Sequence, residues 1–140
     1  MNCRWSAFGC LPDAAKQIRT EIFVREQGFD EEFDDMDMCS YHALLQRDGR
    51  DIGTARIFFE DDRQTMHIGR VAVLKSERGS GSGSILLSAC EQKAKQLGAQ
   101  RVILGAQCRA MKFYERNGFR AFGECFDDQG CPHRMMEKEL

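Results

Sequence analysis

The sequence predicts a mixed α/β domain of the α+β kind. Short runs of alternating apolar and polar residues, such as Met66–Leu74, lie between turn signals at Asp48-Gly49 and Asp61-Asp62-Arg63. Two segments with apolar residues at helical spacing interrupt them. A run of small residues, Arg78-Gly79-Ser80-Gly81-Ser82-Gly83-Ser84, joins a strand directly to the second of these helices.

In chain order, Asn2–Phe8 reads as a first strand. Pro12 and Asp13 suit a first helical turn, and Ala15, Ile18, Ile22 and Phe23 continue at helical spacing to about Gly28. Asp30–Asp37 is expected to be an acidic loop. Tyr41–Gln46 and Asp51–Phe59 form a hairpin around Asp48-Gly49, and Met66–Leu74 is the third antiparallel strand. After the glycine run, Leu86, Cys90, Ala94 and Leu97 share one helix face, and Gly98 ends it. Arg101–Ala106 is a short inner strand and Ala110–Arg116 a short helix. Phe119–Phe126 and His133–Lys138 close the chain around the turn Asp127–Gly130.

At 140 residues the chain is expected to be a single domain over residues 1–140, a length that buries roughly 70% of its unfolded surface. An apolar fraction of 42%, a charged fraction of 30% and a net charge of −2 are those of an ordinary globular protein. A pI near 5.9 argues against nonspecific nucleic-acid binding, which usually needs a basic face. Met-Asn-Cys-Arg-Trp begins no apolar leader, and no run of apolar residues is long enough to span a membrane, so a cytoplasmic location is expected. Seven cysteines without a C-x-x-C pair read as reduced thiols, several of them buried. Cys125, Cys131 and His133 fit no common zinc spacing, and neither a metal nor a redox cofactor is expected.

Three glycines in seven residues leave bare N–H groups at a helix N-terminus, where the dipole also favours an anion. A phosphate or pyrophosphate suits that place. A Walker loop fails because Ser84-Ile85, not a lysine, follows Gly83. The dinucleotide fingerprint fails because the loop reads G-x-G-x-G after an antiparallel meander. The pattern [QR]-x-x-G-x-[GA] fits at Arg78, Gly81 and Gly83. With Val71-Ala72-Val73 before it and Phe113-Tyr114-Glu115-Arg116-Asn117-Gly118-Phe119 about 30 residues after it, the chain resembles the GNAT superfamily of acetyl-CoA-dependent N-acetyltransferases. Ile22–Gly28, the acidic loop before His42, Ala106-Gln107 and Gly130–His133 resemble the small single-domain subgroup typified by ElaA. That subgroup often carries a histidine where Gly105 stands, so no role of that imidazole transfers.

The resemblance implies a splayed, mostly antiparallel sheet with helices on both faces. It also implies that Val71 and Val73 bond the pantetheine arm through main-chain groups, the Val73 N–H polarising the thioester carbonyl. Gly79, Ser80, Gly81, Ser82, Gly83 and Ser84 would hold the diphosphate by backbone N–H, with Arg78 adding charge. Tyr114 is the expected general acid for the departing thiolate.

A lysine-like amine is neutral in only about one molecule in 2,500 at pH 7, a deficit of roughly 4.6 kcal/mol, so a base or water chain is useful. Glu26 and His133 are the candidate bases, and Gln107 could orient the acceptor or a water. His42 and His67 read as structural strand residues. The acidic loop is either solvated surface or an entrance that attracts cationic amines. The expected activity is acetyl transfer to a primary amine of a small molecule or peptide; a non-catalytic acyl-CoA-binding module is the alternative. A homodimer through an exposed sheet edge is compatible with the pattern.

Overall fold

The computed structural model describes residues 1–29 and 33–140. The elements follow in the expected order: β1 (Asn2–Trp5), α1 (Asp13–Arg19), β2 (Tyr41–Arg47), β3 (Arg50–Phe59), β4 (Thr65–Val73), α2 (Ser82–Gln96), β5 (Arg101–Gln107), α3 (Met111–Arg116), β6 (Arg120–Asp128) and β7 (Cys131–Glu139). They build one seven-stranded sheet in the order β1-β2-β3-β4-β5-β7-β6. Among the described residues, only β4 and β5 pair in parallel.

Both two-residue hairpin turns have left-handed backbones, at Asp48-Gly49 (φ 52° and 78°) and at Gln129-Gly130 (φ 50° and 77°). Such turns match the twist of the flanking strands, so β6 and β7 run further toward their turn than the expected bounds. The first strand stops at Trp5 rather than Phe8, because the chain turns there, with Cys10 N–H donating to the Ala7 carbonyl.

The first helix departs most from expectation. Its α-helical part ends at Arg19, and Thr20–Glu26 continues as a π-helix, with Gln27 N–H reaching back five residues to the Ile22 carbonyl at 2.9 Å. The β-branched residues Thr20, Ile22 and Val24 weaken the α-helical preference of this stretch. Asp30–Glu32 of the expected acidic loop lie outside the described residues. The remainder is no simple solvated loop: Asp34 caps a short 3₁₀ turn, Asp35–Cys39, and Asp37 returns a bond to the Asp34 N–H.

Helices cover both sheet faces. On one, Leu86, Leu87, Cys90 and Ala94 of α2 are fully buried against the sheet in a core that reaches Leu104 and Met136. On the other, Ala15, Ile18 and Ile22 pack on Leu44 and Ala72. Cys90 is the one fully buried cysteine of the seven; Cys10, Cys39 and Cys125 are exposed, which corrects the expectation of several buried thiols.

Two irregularities place the site. The parallel ladder holds for three pairs, Thr65–Arg101, Met66–Val102 and His67–Ile103, after which β4 and β5 part. On the other side of β4, pairing jumps from Arg56–Gly69 to Thr54–Ala72, so Arg70 and Val71 bulge opposite Ala55, with Arg70 at φ 51°.

Candidate active site

The glycine run begins just beyond β4 and turns into α2. Gly79 and Gly81 have φ of 85° and 84°, and both face open space, so the left-handed backbone is what excludes a side chain there. Gly83 has a different reason: a Cβ would stand 3.1 Å from the Phe113 ring of α3. Arg78 N–H donates to the Lys75 carbonyl and Ile85 N–H to the Gly81 carbonyl. Between them, the N–H groups of residues 79–84 have no acceptor among the described residues. Side-chain bonds do reach the loop, from the Ser80 hydroxyl to the Glu77 carbonyl, between Ser80 and Ser82, from Arg47 to Ser80 and from Ser82 to the Met1 sulfur.

Arg78 does not project freely from this loop. Its Nε donates to the Val73 carbonyl at 2.9 Å, and its two terminal nitrogens donate to Glu26 at 2.7 and 2.9 Å. Arg78 thus ties the end of β4 to the end of the π-helix. The paired guanidinium lowers the Glu26 pKa below the ordinary carboxylate value. A carboxylate so held is a poor proton acceptor, and this geometry favours Glu26 as the partner that holds Arg78 over the expected role as base.

The split between β4 and β5 opens into a cavity of about 650 Å³. Leu74 N–H bonds the Ile52 carbonyl, which makes Gly53–Val73 the non-bonded pair of that ladder. The N–H and carbonyl of Val73 therefore point away from β3 and into the split, where Arg78 takes the carbonyl. Tyr114 reaches the cavity from α3 on the other side. Burial pushes its phenol up to about 12, so it stays protonated across the neutral range.

Two imidazoles line the same space. His133 on β7 is 7% exposed; its Nδ1 lies 2.7 Å from the Cys131 carbonyl, which requires Nδ1–H. His67 on β4 was expected to be structural, yet it sits where β4 and β5 part. Its Nδ1 lies 3.0 Å from a Glu60 carboxylate oxygen, and its ring stacks on Phe58. Burial lowers its pKa below the ordinary histidine value, with Glu60 opposing, so the ring is neutral at pH 7. An imidazole that lines a cavity and is oriented through Nδ1 has the layout of a general base. The turn that returns β3 into β4 brings residue 60 beside residue 67, which was the available signal. His42, in contrast, is buried with Nε2 2.9 Å from the Asp37 carbonyl.

Gln107 lies on the cavity wall but is already engaged. Its amide donates to Gln27 at 2.9 Å and accepts from Arg109 at 2.7 Å, pinning the π-helix to the end of β5. Below the opposite wall, Asp34 and Asp37 accept bonds from Arg19, Arg56 and Arg70. Arg19 and Arg56 are almost fully buried. Burial alone would raise the Asp37 pKa; hydrogen bonds from Arg19 and Arg56 outweigh it and hold the pKa at about 2.

The acetyltransferase (GNAT) domain model matches residues 11–140. The chain belongs to the GNAT acetyltransferase family. An uncharacterized N-acetyltransferase of Bacillus subtilis, YjcF, is 36% identical over 125 residues, covering 87% of this chain and 88% of that protein. ElaA of Escherichia coli is 33% identical over 132 residues, covering 91% of this chain and 86% of its own length. The crystal structure of ElaA superposes with a TM-score of 0.85 at 29% identity over 99% of both chains. An acyl-CoA N-acyltransferase from Pseudomonas aeruginosa gives 0.86 at 28% identity over 98% of both. This GNAT chain is thus an acyltransferase, and its seven-stranded, mostly antiparallel sheet with helices has the acyl-CoA N-acyltransferase fold. Among its described residues no helix is long and apolar enough to cross a membrane.

Proposed function

We propose that this chain transfers an acetyl group from acetyl-CoA to a primary amine by direct attack on the thioester. The observation that supports this most is the row of N–H groups at residues 79–84, left without protein acceptors at the start of α2. Such a row suits a diphosphate, and it ends beside a parted sheet wide enough for an extended arm. Acetyl-CoA supplies the activated acyl carbon.

The protein's own groups then divide the work. The Val73 N–H, directed into the split, donates to the carbonyl oxygen as negative charge develops there. The Tyr114 hydroxyl donates a hydrogen bond to the departing sulfur. Forming the N–C bond and breaking the C–S bond frees one proton from the attacking nitrogen and leaves the sulfur as a thiolate. That released proton balances the one the thiolate takes up from solvent, while the Tyr114 phenol, raised to about 12, stays protonated as its hydrogen-bond donor. His67 accepts the proton of the acceptor ammonium through Nε2, while Glu60 holds the ring and stabilises the imidazolium. His133 faces the same cavity and is the second imidazole that can serve.

Acetyl-CoA is expected to raise the melting temperature, and an amine panel read by thiol release to reveal turnover. Tyr114→Phe should lower kcat about tenfold with little change in acetyl-CoA affinity. His67→Ala should lower kcat and abolish the acidic limb of the pH profile, which lies below the ordinary histidine value. Loss of that limb in His133→Ala instead would move the base to β7. No thermal shift with acetyl-CoA would end the proposal.

A further inference from the structure

We infer that the acceptor is a monoamine with an aromatic body rather than a polycation; this rests on the acetyl-transfer reading above. Four phenylalanines line the cavity: Phe23 from the π-helix, Phe29 and Phe33 beside it, and Phe126 from β6. Phe33 and Phe126 are 45% and 41% exposed, among the few large apolar side chains that meet solvent. Exposed rings gathered in a concave site mark a place for an apolar ligand.

Gly105 lies against Phe126 with room for no more than a methyl group between them. A Cβ at residue 105 would lie 3.5 Å from the Phe126 ring tip and 3.7 Å from the Met135 sulfur. The ring lies over Gly105 of β5, where a side chain larger than a methyl group would contend for its place, and stacks on His133, with centroids 5.6 Å apart and planes 28° from parallel. Gly123, at φ 71°, interrupts the β6–β7 ladder just before Phe126 and sets its approach. The outcome is an aromatic platform of Phe126 and His133 on the wall of the cavity.

The charges point the same way. Asp34, the carboxylate on the cavity wall, accepts from both Arg56 and Arg70, and its pKa is lowered chiefly by the Arg56 hydrogen bond. Asp37 behind it is taken by Arg19 and Arg56. A polyamine would have to compete with three guanidinium groups for these carboxylates. Asp128, the other lining carboxylate among the described residues, stands exposed near the hairpin turn, where salt screens it. Among its described residues, this wall offers a ring more than it offers a second ammonium.

The test compares kcat/KM for phenethylamine, butylamine and spermidine, with acetyl-CoA saturating. Phenethylamine should exceed both by at least about tenfold, the scale of burying a ring against aromatic walls. In Phe126→Ala, checked for folding by circular dichroism, the phenethylamine-to-butylamine ratio should fall several-fold. Spermidine equal to or better than phenethylamine overturns the inference while leaving acetyl transfer intact, as does a ratio that Phe126→Ala leaves unchanged. If acetyl-CoA binds and none of the amines is acetylated, the transfer reading fails and the inference falls with it.

Discussion

Glu26 and His67 differ in what holds them, for a local electrostatic reason. Glu26 was a candidate base and is held by Arg78 through two short bonds; His67 was structural and stands on the cavity with an oriented, neutral ring. The two assignments for Glu26 separate cleanly. Glu26→Gln should raise KM for acetyl-CoA several-fold with kcat little changed, since a neutral amide holds the guanidinium less firmly. With S-acetylpantetheine, which has no diphosphate, the variant should match the wild type. A large fall in kcat with either donor would return Glu26 to the role of base. None of this was legible in the chain, because Glu26 and Arg78 are 52 residues apart and only the fold brings them together.

At the scale of elements, much was legible. Period-two alternation, the Asp48-Gly49 turn and the stripe Leu86-Cys90-Ala94 each report a local preference, and each element appears where expected. Two features were not. A π-helical continuation preserves the apolar recurrence that a simple helix would show. The capped turn after Asp34 depends on arginines from α1, β3 and β4. The glycine run also has a division of labour that its repeat conceals. Gly83→Ala should cost about 1–3 kcal/mol by pressing on Phe113, lowering Tm by several degrees. Adding Phe113→Leu should recover part of the loss, as a thermal melt would show. Were Gly83→Ala to leave Tm unchanged, the close approach of α2 and α3 would not be what requires glycine.

For the whole molecule, the network of Arg19, Asp34, Asp37, Arg56 and Arg70 joins the first helix, the turn at 35–39 and two central strands. Its carboxylates set a pH dependence. Asp37 has a folded pKa of about 2 against an ordinary 3.8. Its contribution, on the order of 2 kcal/mol, is therefore complete above pH 4 and is lost as pH falls toward 2. Urea unfolding from pH 6 to pH 2 should show that fall in the wild type and a smaller one in Asp37→Asn, whose stability at pH 6 is already reduced because the buried Arg19 and Arg56 lose one ionised partner.

The parted strands carry a last consequence. Past His67 and Ile103, β4 and β5 turn edge groups toward each other across a gap too wide for either to satisfy. Amide protons on those edges should exchange with deuterium far sooner than their neighbours on β3 and β7. Any occupant with alternating donors and acceptors becomes an eighth strand, completing the sheet by mass action. Resistance to heat is then a property of the surrounding solution as much as of the chain.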